Sequence, residues 1–216
     1  MLWELPVPLT QINLREWQTI MHQRIDQWYN NSPRGDNMTS FERRVVVGFE
    51  TKRNTALFNL YRPSPNNPTP SEEQALAMTE VASNMIRIYQ NLFRKKHLSI
   101  YWQSIENVFN AGTALMVAYS RSPGVREMIT LKSLESLVHT CSSLLWGMVE
   151  RFPSYQDKRD TFDTTAAKML EGLKTETLIN DGRIIPDASQ HEGPVTSSLS
   201  AQTLTGSEIP LPAITE

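Results

Sequence analysis

Between Tyr101 and Ser122 the side chains of Ile105, Val108, Phe109, Leu115, Met116 and Tyr119 recur at three- and four-residue steps. That spacing lays them along one face of an α-helix. Gly112 falls inside the stripe, where it costs about 1 kcal/mol of helix propensity relative to alanine. A glycine there lets a neighbouring helix come close. Ser99 is placed to cap the start, and Ser122-Pro123-Gly124 stops it. The stretch therefore predicts a central helix wrapped by others.

The same period organises the rest of the chain up to Leu173. Leu14, Trp17, Met21, Ile25 and Trp28 predict a first helix from about Pro8 to Tyr29, ended by Asn30-Asn31-Ser32-Pro33. Arg34-Gly35-Asp36 then reads as a polar turn. Thr39 or Ser40 caps a second helix whose inward face is Val46, Phe49, Ala56, Leu57 and Leu60. Arg53 falls in that stripe; its stem is expected along the apolar surface with the head in water. The alternative for Arg53 is a buried cation awaiting an acidic ligand.

Four prolines make a loop of residues 62–70, and Ser71-Glu72-Glu73 opens a third helix with a cap and two carboxylates at the positive end of its dipole. Its stripe is Met78, Ala82, Met85, Tyr89, Leu92 and Phe93, and it closes on Arg94-Lys95-Lys96-His97. Those cations are expected against the negative helix end, the alternative being a short nuclear-localisation or phosphate-contacting patch. Beyond the central helix, residues 125–128 form a short helical piece. Leu134, Leu137, Val138, Cys141, Leu144, Leu145 and Met148 mark a fifth long helix. Tyr155, Phe162, Ala166, Met169 and Leu170 mark a sixth, from Ser154 to Leu173.

Three of these stretches carry a resemblance. Leu60-Tyr61-Arg62-Pro63-Ser64-Pro65, then Ile86, Ile88 and Tyr89, then Tyr101-Trp102 through Phe109 and Gly112 resemble the regulatory (middle homology) region of fungal-specific transcription factors. The first helix, closing Ile25-Asp26-Gln27-Trp28 before a proline, is similar to a family helix that ends on tryptophan. The likeness covers roughly residues 10–173. In that family the region lies C-terminal to a six-cysteine binuclear zinc cluster that reads DNA. The resemblance implies modulation of transcription in the nucleus through partner contacts, dimerisation or effector sensing. It also implies control of a metabolic pathway, often one for secondary metabolites.

Composition changes that picture in two places. The chain of 216 residues carries a net charge of -2, but residues 175–216 hold six acids against one base, Arg183. Serine, threonine, proline and glycine dominate there and aromatics vanish. Such a segment cannot bury enough apolar surface to offset its ordering entropy. Residues 175–216 are thus expected to be a disordered acidic tail, behind a helical domain of residues 1–174. The second change is the single cysteine, Cys141. It allows neither an intramolecular disulfide nor a cysteine-rich zinc site within this chain, so direct specific DNA binding is not expected. The start, Met1-Leu-Trp-Glu-Leu-Pro, lacks a signal peptide's basic region and apolar core, and no uncharged apolar run reaches membrane-spanning length. A soluble intracellular protein is expected.

Candidate chemistry is sparse. His139 and Cys141 suggest a dyad, but helix positions two apart point about 200° away from each other. His22, His97, His139 and His191 are widely separated. Asp160 and Asp163 share a face with Lys158 and Arg159 among them, which reads as a solvated surface. No catalytic, metal-ligating or cofactor-binding residue is assigned, and no enzyme activity or cofactor is expected. The reading is an all-α single domain of about six amphipathic helices with a disordered acidic C-terminal tail. It would act as a regulator without its own DNA reader, through a DNA-binding transcription factor or co-regulator protein, as a homo- or heterodimer. The alternative is a small-molecule-binding protein or enzyme with Trp102, Arg53, His139 or Tyr119 lining a pocket between helices.

Overall fold

Polar side chains start nearly every helix by accepting a hydrogen bond from the first free backbone N–H groups. In the computed structural model, which describes residues 13–33, 37–65, 67–98 and 102–180, Asn13 caps α1 (Leu14–Asn30) and Thr39 caps α2 (Ser40–Tyr61). Ser71 caps α3 (Glu72–Arg94). Thr39 with Glu42, and Ser71 with Gln74, form reciprocal capping boxes that satisfy two donors each. Next come α4 (Trp102–Arg121), the short α5 (Pro123–Met128) capped by Ser122, and α6 (Leu131–Val149) capped by Thr130. A 3-10 turn at Pro153–Tyr155 leads into α7 (Gln156–Asn180). The protein is all-α, with seven α-helices and no strand among the described residues.

The predicted stops at Ser122-Pro123 and Phe152-Pro153 are where the chain turns. The first helix begins at Leu14, later than the sequence pattern suggested, because Asn13 takes the cap. The expected turn at Arg34–Asp36, the cap at Ser99 and the expected disordered tail beyond Asn180 lie outside the described residues. Helix α7 runs on to Asn180, past Leu173 where the apolar pattern ends. Ion pairs hold that extension: Lys174 Nζ donates to Glu135 at 2.6 Å, and Glu176 meets Arg126 at 3.5 Å. The described residues through Thr177 belong to the first compact unit.

Within the first unit α4 is the centre. Ile105, Val108, Ala111 and Leu115 are completely buried, against α3 on one side and α6 on the other. The antiparallel α3–α4 pair is pinned at both ends. Near one end Asn107 Nδ2 donates to the Tyr89 hydroxyl at 2.9 Å. At the other, the Glu72 carboxylate accepts from Ser122 Oγ at 2.7 Å and from the Gly124 N–H at 2.6 Å. Helix α7 closes over α4 and α6, and Phe162 enters the core, 1% exposed. Gly112 is required there. A Cβ on it would stand 2.7 Å from the Phe162 ring and 2.9 Å from Cys141 Sγ.

The seven inward positions expected on α6 are all buried, and so are five of the six residues of the central stripe named above, with Phe109 half-buried. Helix α1 departs from expectation. Leu14 and Trp28 are 40% and 44% exposed, while Gln18 is its one fully buried residue. Polar bonds dock α1 on α2: Gln18 Nε2 donates to the Leu60 carbonyl at 3.0 Å and His22 bonds the Tyr61 hydroxyl. Arg53 also departs. Its head is not left to water, because Nε and NH2 both donate to Asp26 at 2.7 Å and the guanidinium lies 5.3 Å from the Tyr29 ring.

Candidate functional site

The outer face of α2 from Arg44 to Asn59 is mostly polar, with Val47, Gly48 and Ala56 among Arg44, Thr51, Lys52, Thr55 and Asn59. Across from it stand the end of α3 and the start of α4. The three surfaces enclose an open cleft of about 890 Å³. Thr51, Thr55 and Asn59 line the α2 wall, with Arg44 and Lys52 as its cations. Tyr89 and Leu92 form the α3 wall, and Trp102, Ser104 and Asn107 the α4 wall. Trp102 is 60% exposed at the mouth and offers an indole face.

At the base of the cleft, Tyr89 is buried and its hydroxyl accepts from Asn107. Burial pushes the phenol above its ordinary value, and this outweighs the hydrogen bonds from Asn107 and Ser104 that act the other way. The phenol therefore stays neutral through the physiological range and serves as a hydrogen-bonding group. The Thr51 and Thr55 hydroxyls donate back to the Val47 and Thr51 carbonyls at 2.8 and 2.9 Å. Among the described residues, none that lines the cleft is a carboxylate. Stacking on Trp102 and hydrogen bonding to neutral or anionic groups is the chemistry these walls provide.

Of the four residues weighed from the sequence as lining a pocket, Trp102 alone borders this cleft. Arg53 is turned toward α1 and held by Asp26. Tyr119 is buried, its carbonyl accepting from Arg126 Nε at 3.0 Å. His139 is exposed on α6, 3.7 Å from Glu135. Cys141 is fully buried, its thiol pushed up by desolvation and directed at the Val108 carbonyl, 3.8 Å away. His139 and Cys141 do not meet. Among the described residues no three His, Cys, Asp or Glu side chains converge as a metal site would need. No described helix is long and apolar enough to cross a membrane.

The Asp160/Asp163 face, expected to be merely solvated, is tied to α6. Trp146 Nε1 donates to Asp163 at 2.8 Å, and the Arg159 guanidinium lies 3.8 Å over the Trp146 ring while bonding Asp160 at 2.6 Å. Arg159 is 8% exposed as a result. The basic run Arg94–His97 ends α3, with Lys96 in the left-handed region at φ 56° and the His97 N–H on the Leu92 carbonyl. This is a helix-closing turn with its cations at the negative dipole end. Periodicity missed the cleft itself. Its α3 wall, Tyr89 and Leu92, was counted in an apolar stripe, and the polar walls of α2 and α4 carry no periodic signal that they face it.

Fold and clefts together describe a helical body with binding surfaces and no assembled catalytic group among the described residues. No family model matches the chain, and no solved structure matches it. Over 182 residues, 74% of this chain, it is 22% identical to a protein of Emericella nidulans named positive regulator of purine utilization. The match takes in 17% of that relative's length. The chain is thus similar to part of a much longer fungal regulatory protein.

Proposed function

We propose that this chain is the regulatory region of a fungal transcriptional regulator, working in the nucleus on the genes of a metabolic pathway. The observation that carries the reading is the 22% identity to the Emericella nidulans positive regulator of purine utilization, sustained over most of this chain. The likeness of Leu60–Pro65 and the central helix to fungal transcription-factor regulatory regions supports it. With one cysteine in 216 residues, these residues do not build a six-cysteine DNA-reading cluster. Contact with DNA is accordingly assigned to a partner, a DNA-binding transcription factor or co-regulator, with the chain itself acting as a homo- or heterodimer. Control of a secondary-metabolite gene cluster is the particular role the resemblance favours. Transcript profiling of a strain lacking the gene tests this: coordinated change in one pathway's genes is expected, and an unchanged profile under inducing conditions contradicts it.

The cleft beneath Trp102 favours one second reading, a small-molecule-binding protein or enzyme. Its test is a ligand that co-purifies with the protein and is lost when Asn107 and Trp102 are replaced by alanine.

A further inference from the structure

Helices α3 and α6 lie side by side and run in the same direction, as the residues facing each other across their groove show. Arg87 lies opposite Lys132 and Ser136, and Arg94 opposite His139 and Ser143. Two openings of about 380 and 540 Å³ between the helices share Gln90, Ser136 and Thr140 and so form one groove. From Lys132 to Leu144 the α6 wall extends about 18 Å, the length of roughly twelve helical residues. Ile86, Leu137 and Leu144 lie beneath it as part of the core, 0%, 8% and 3% exposed, and Phe93 on one lip, 37% exposed, is its accessible apolar side chain.

The rims are cationic. Arg87 and Arg94 stand two turns apart, about 10 Å along α3, and Lys132 faces Arg87 from α6. Arg87 touches only the Asn84 amide, at 3.5 Å. Arg94 and Lys132 have no carboxylate within ion-pair distance among the described residues, and no carboxylate lines the groove. The nearest acid on that stretch of α6, Glu135, is committed to Lys174. Gln90 and Ser136, midway along, have no side-chain partner among the described residues.

We propose that this groove docks a short acidic amphipathic helix of a partner protein, its apolar face against Phe93 and its carboxylates against Arg87, Arg94 and Lys132. A groove of helical length with an exposed aromatic lip and unanswered cations on both rims is complementary to such a ligand in shape and charge. Nucleic acid fits less well. Three cations, two on one rim and one on the other, neutralise few phosphates, and the attraction fades at cellular salt. The proposal rests on the regulatory reading for its biology, since it names the kind of partner that reading requires, but the binding is tested without it.

The test is fluorescence anisotropy on the full 216-residue chain. The probe is a labelled synthetic fifteen-residue peptide with leucines at helical spacing and aspartate and glutamate elsewhere. A scrambled peptide of the same composition and a duplex DNA of equal charge serve as competitors. Arg87→Glu, Arg94→Glu and Lys132→Glu should each weaken the probe about fivefold and together about a hundredfold. Lys52→Glu in the other cleft should change it less than about twofold. All three groove residues sit on exposed helix faces, and charge-neutral Gln variants, which cannot repel the peptide, should give the same order at smaller size. Equal binding of the scrambled peptide, displacement by the duplex, or wild-type affinity in the triple variant would overturn the proposal. A homodimer that the triple variant dissociates, without peptide binding, would assign the groove to a second copy and overturn it too. Failure of the probe with an intact transcriptional phenotype would remove this groove and leave the regulatory reading standing.

Discussion

The ring of Phe162 occupies the space that a side chain on Gly112 would need. A Cβ there would lie 2.7 Å from the ring and 2.9 Å from Cys141 Sγ, so α6 and α7 both approach α4 through one missing methyl group. Gly112→Ala gains about 1 kcal/mol of helix propensity but must push aside a ring that is 1% exposed. Overpacking wins, and we expect a net loss of about 1–3 kcal/mol in denaturant unfolding. Gly48 and Gly172 have nothing within 4 Å of the same position, so alanine there should stabilise by about 0.5–1 kcal/mol. Equal effects at all three glycines would show that the contact with Phe162 is not what matters.

Two neighbouring glutamates at the start of α3 should behave differently. Glu72 holds the buried Ser122 hydroxyl and the Gly124 N–H, tying α3 to the α4–α5 turn. Glu73 pairs with Arg15, and both side chains are more than 70% exposed. Glu72→Ala is expected to cost about 1–2 kcal/mol, and Glu73→Ala less than about 0.5 kcal/mol. Thermal melts of the two variants decide it.

Acid should loosen the start of α2 before the core. The Thr39 backbone and hydroxyl both donate to Glu42 and hold its carboxyl below the ordinary value of 4.5. A depressed folded value means the capping stabilisation is complete above the unfolded value and disappears as pH falls through the folded one. An NMR titration should place the Glu42 midpoint below that of an unfolded peptide, with the Glu42 amide losing protection in the same interval. Glu42→Gln should keep the cap and flatten the response. A midpoint at the ordinary carboxylate value would contradict the bond.

Any DNA binding by the purified chain should be nonspecific. A net charge of -2 leaves only local cationic patches to meet phosphate. Retention of a duplex at low salt should fall steeply as salt rises and ignore base sequence. Salt-resistant, sequence-selective binding would contradict this.

How far the sequence could be read depended on what each helix packs against. On α6 every expected inward residue, from Leu134 to Met148, is buried, because the helix is sandwiched and its apolar stripe reports the core directly. Helix α1 touches chiefly α2, so of its stripe Trp17, Met21 and Ile25 are half-buried while Leu14 and Trp28 stay exposed, and polar bonds from Gln18, His22 and Asp26 add to its docking. Arg53 could not be placed from periodicity, since its partner Asp26 is twenty-seven residues away. Both grooves were illegible for a related reason. Arg87, Lys132, Lys52 and Thr55 sit on polar helix faces, and nothing in one helix's pattern tells that another polar face stands opposite. The continuation of α7 past Leu173 escaped because its ion pairs, Lys174 with Glu135 and Glu176 with Arg126, leave no mark on apolar periodicity.

The central claim is that this helical body acts on gene expression through another protein. The measurement that tests it most directly is reporter output when the full chain is fused to an unrelated DNA-binding domain in a fungal host. A change in output that depends on the fused chain, with the DNA-binding domain alone as reference, is predicted. Output indistinguishable from that reference, at equal protein level and nuclear abundance, would contradict it.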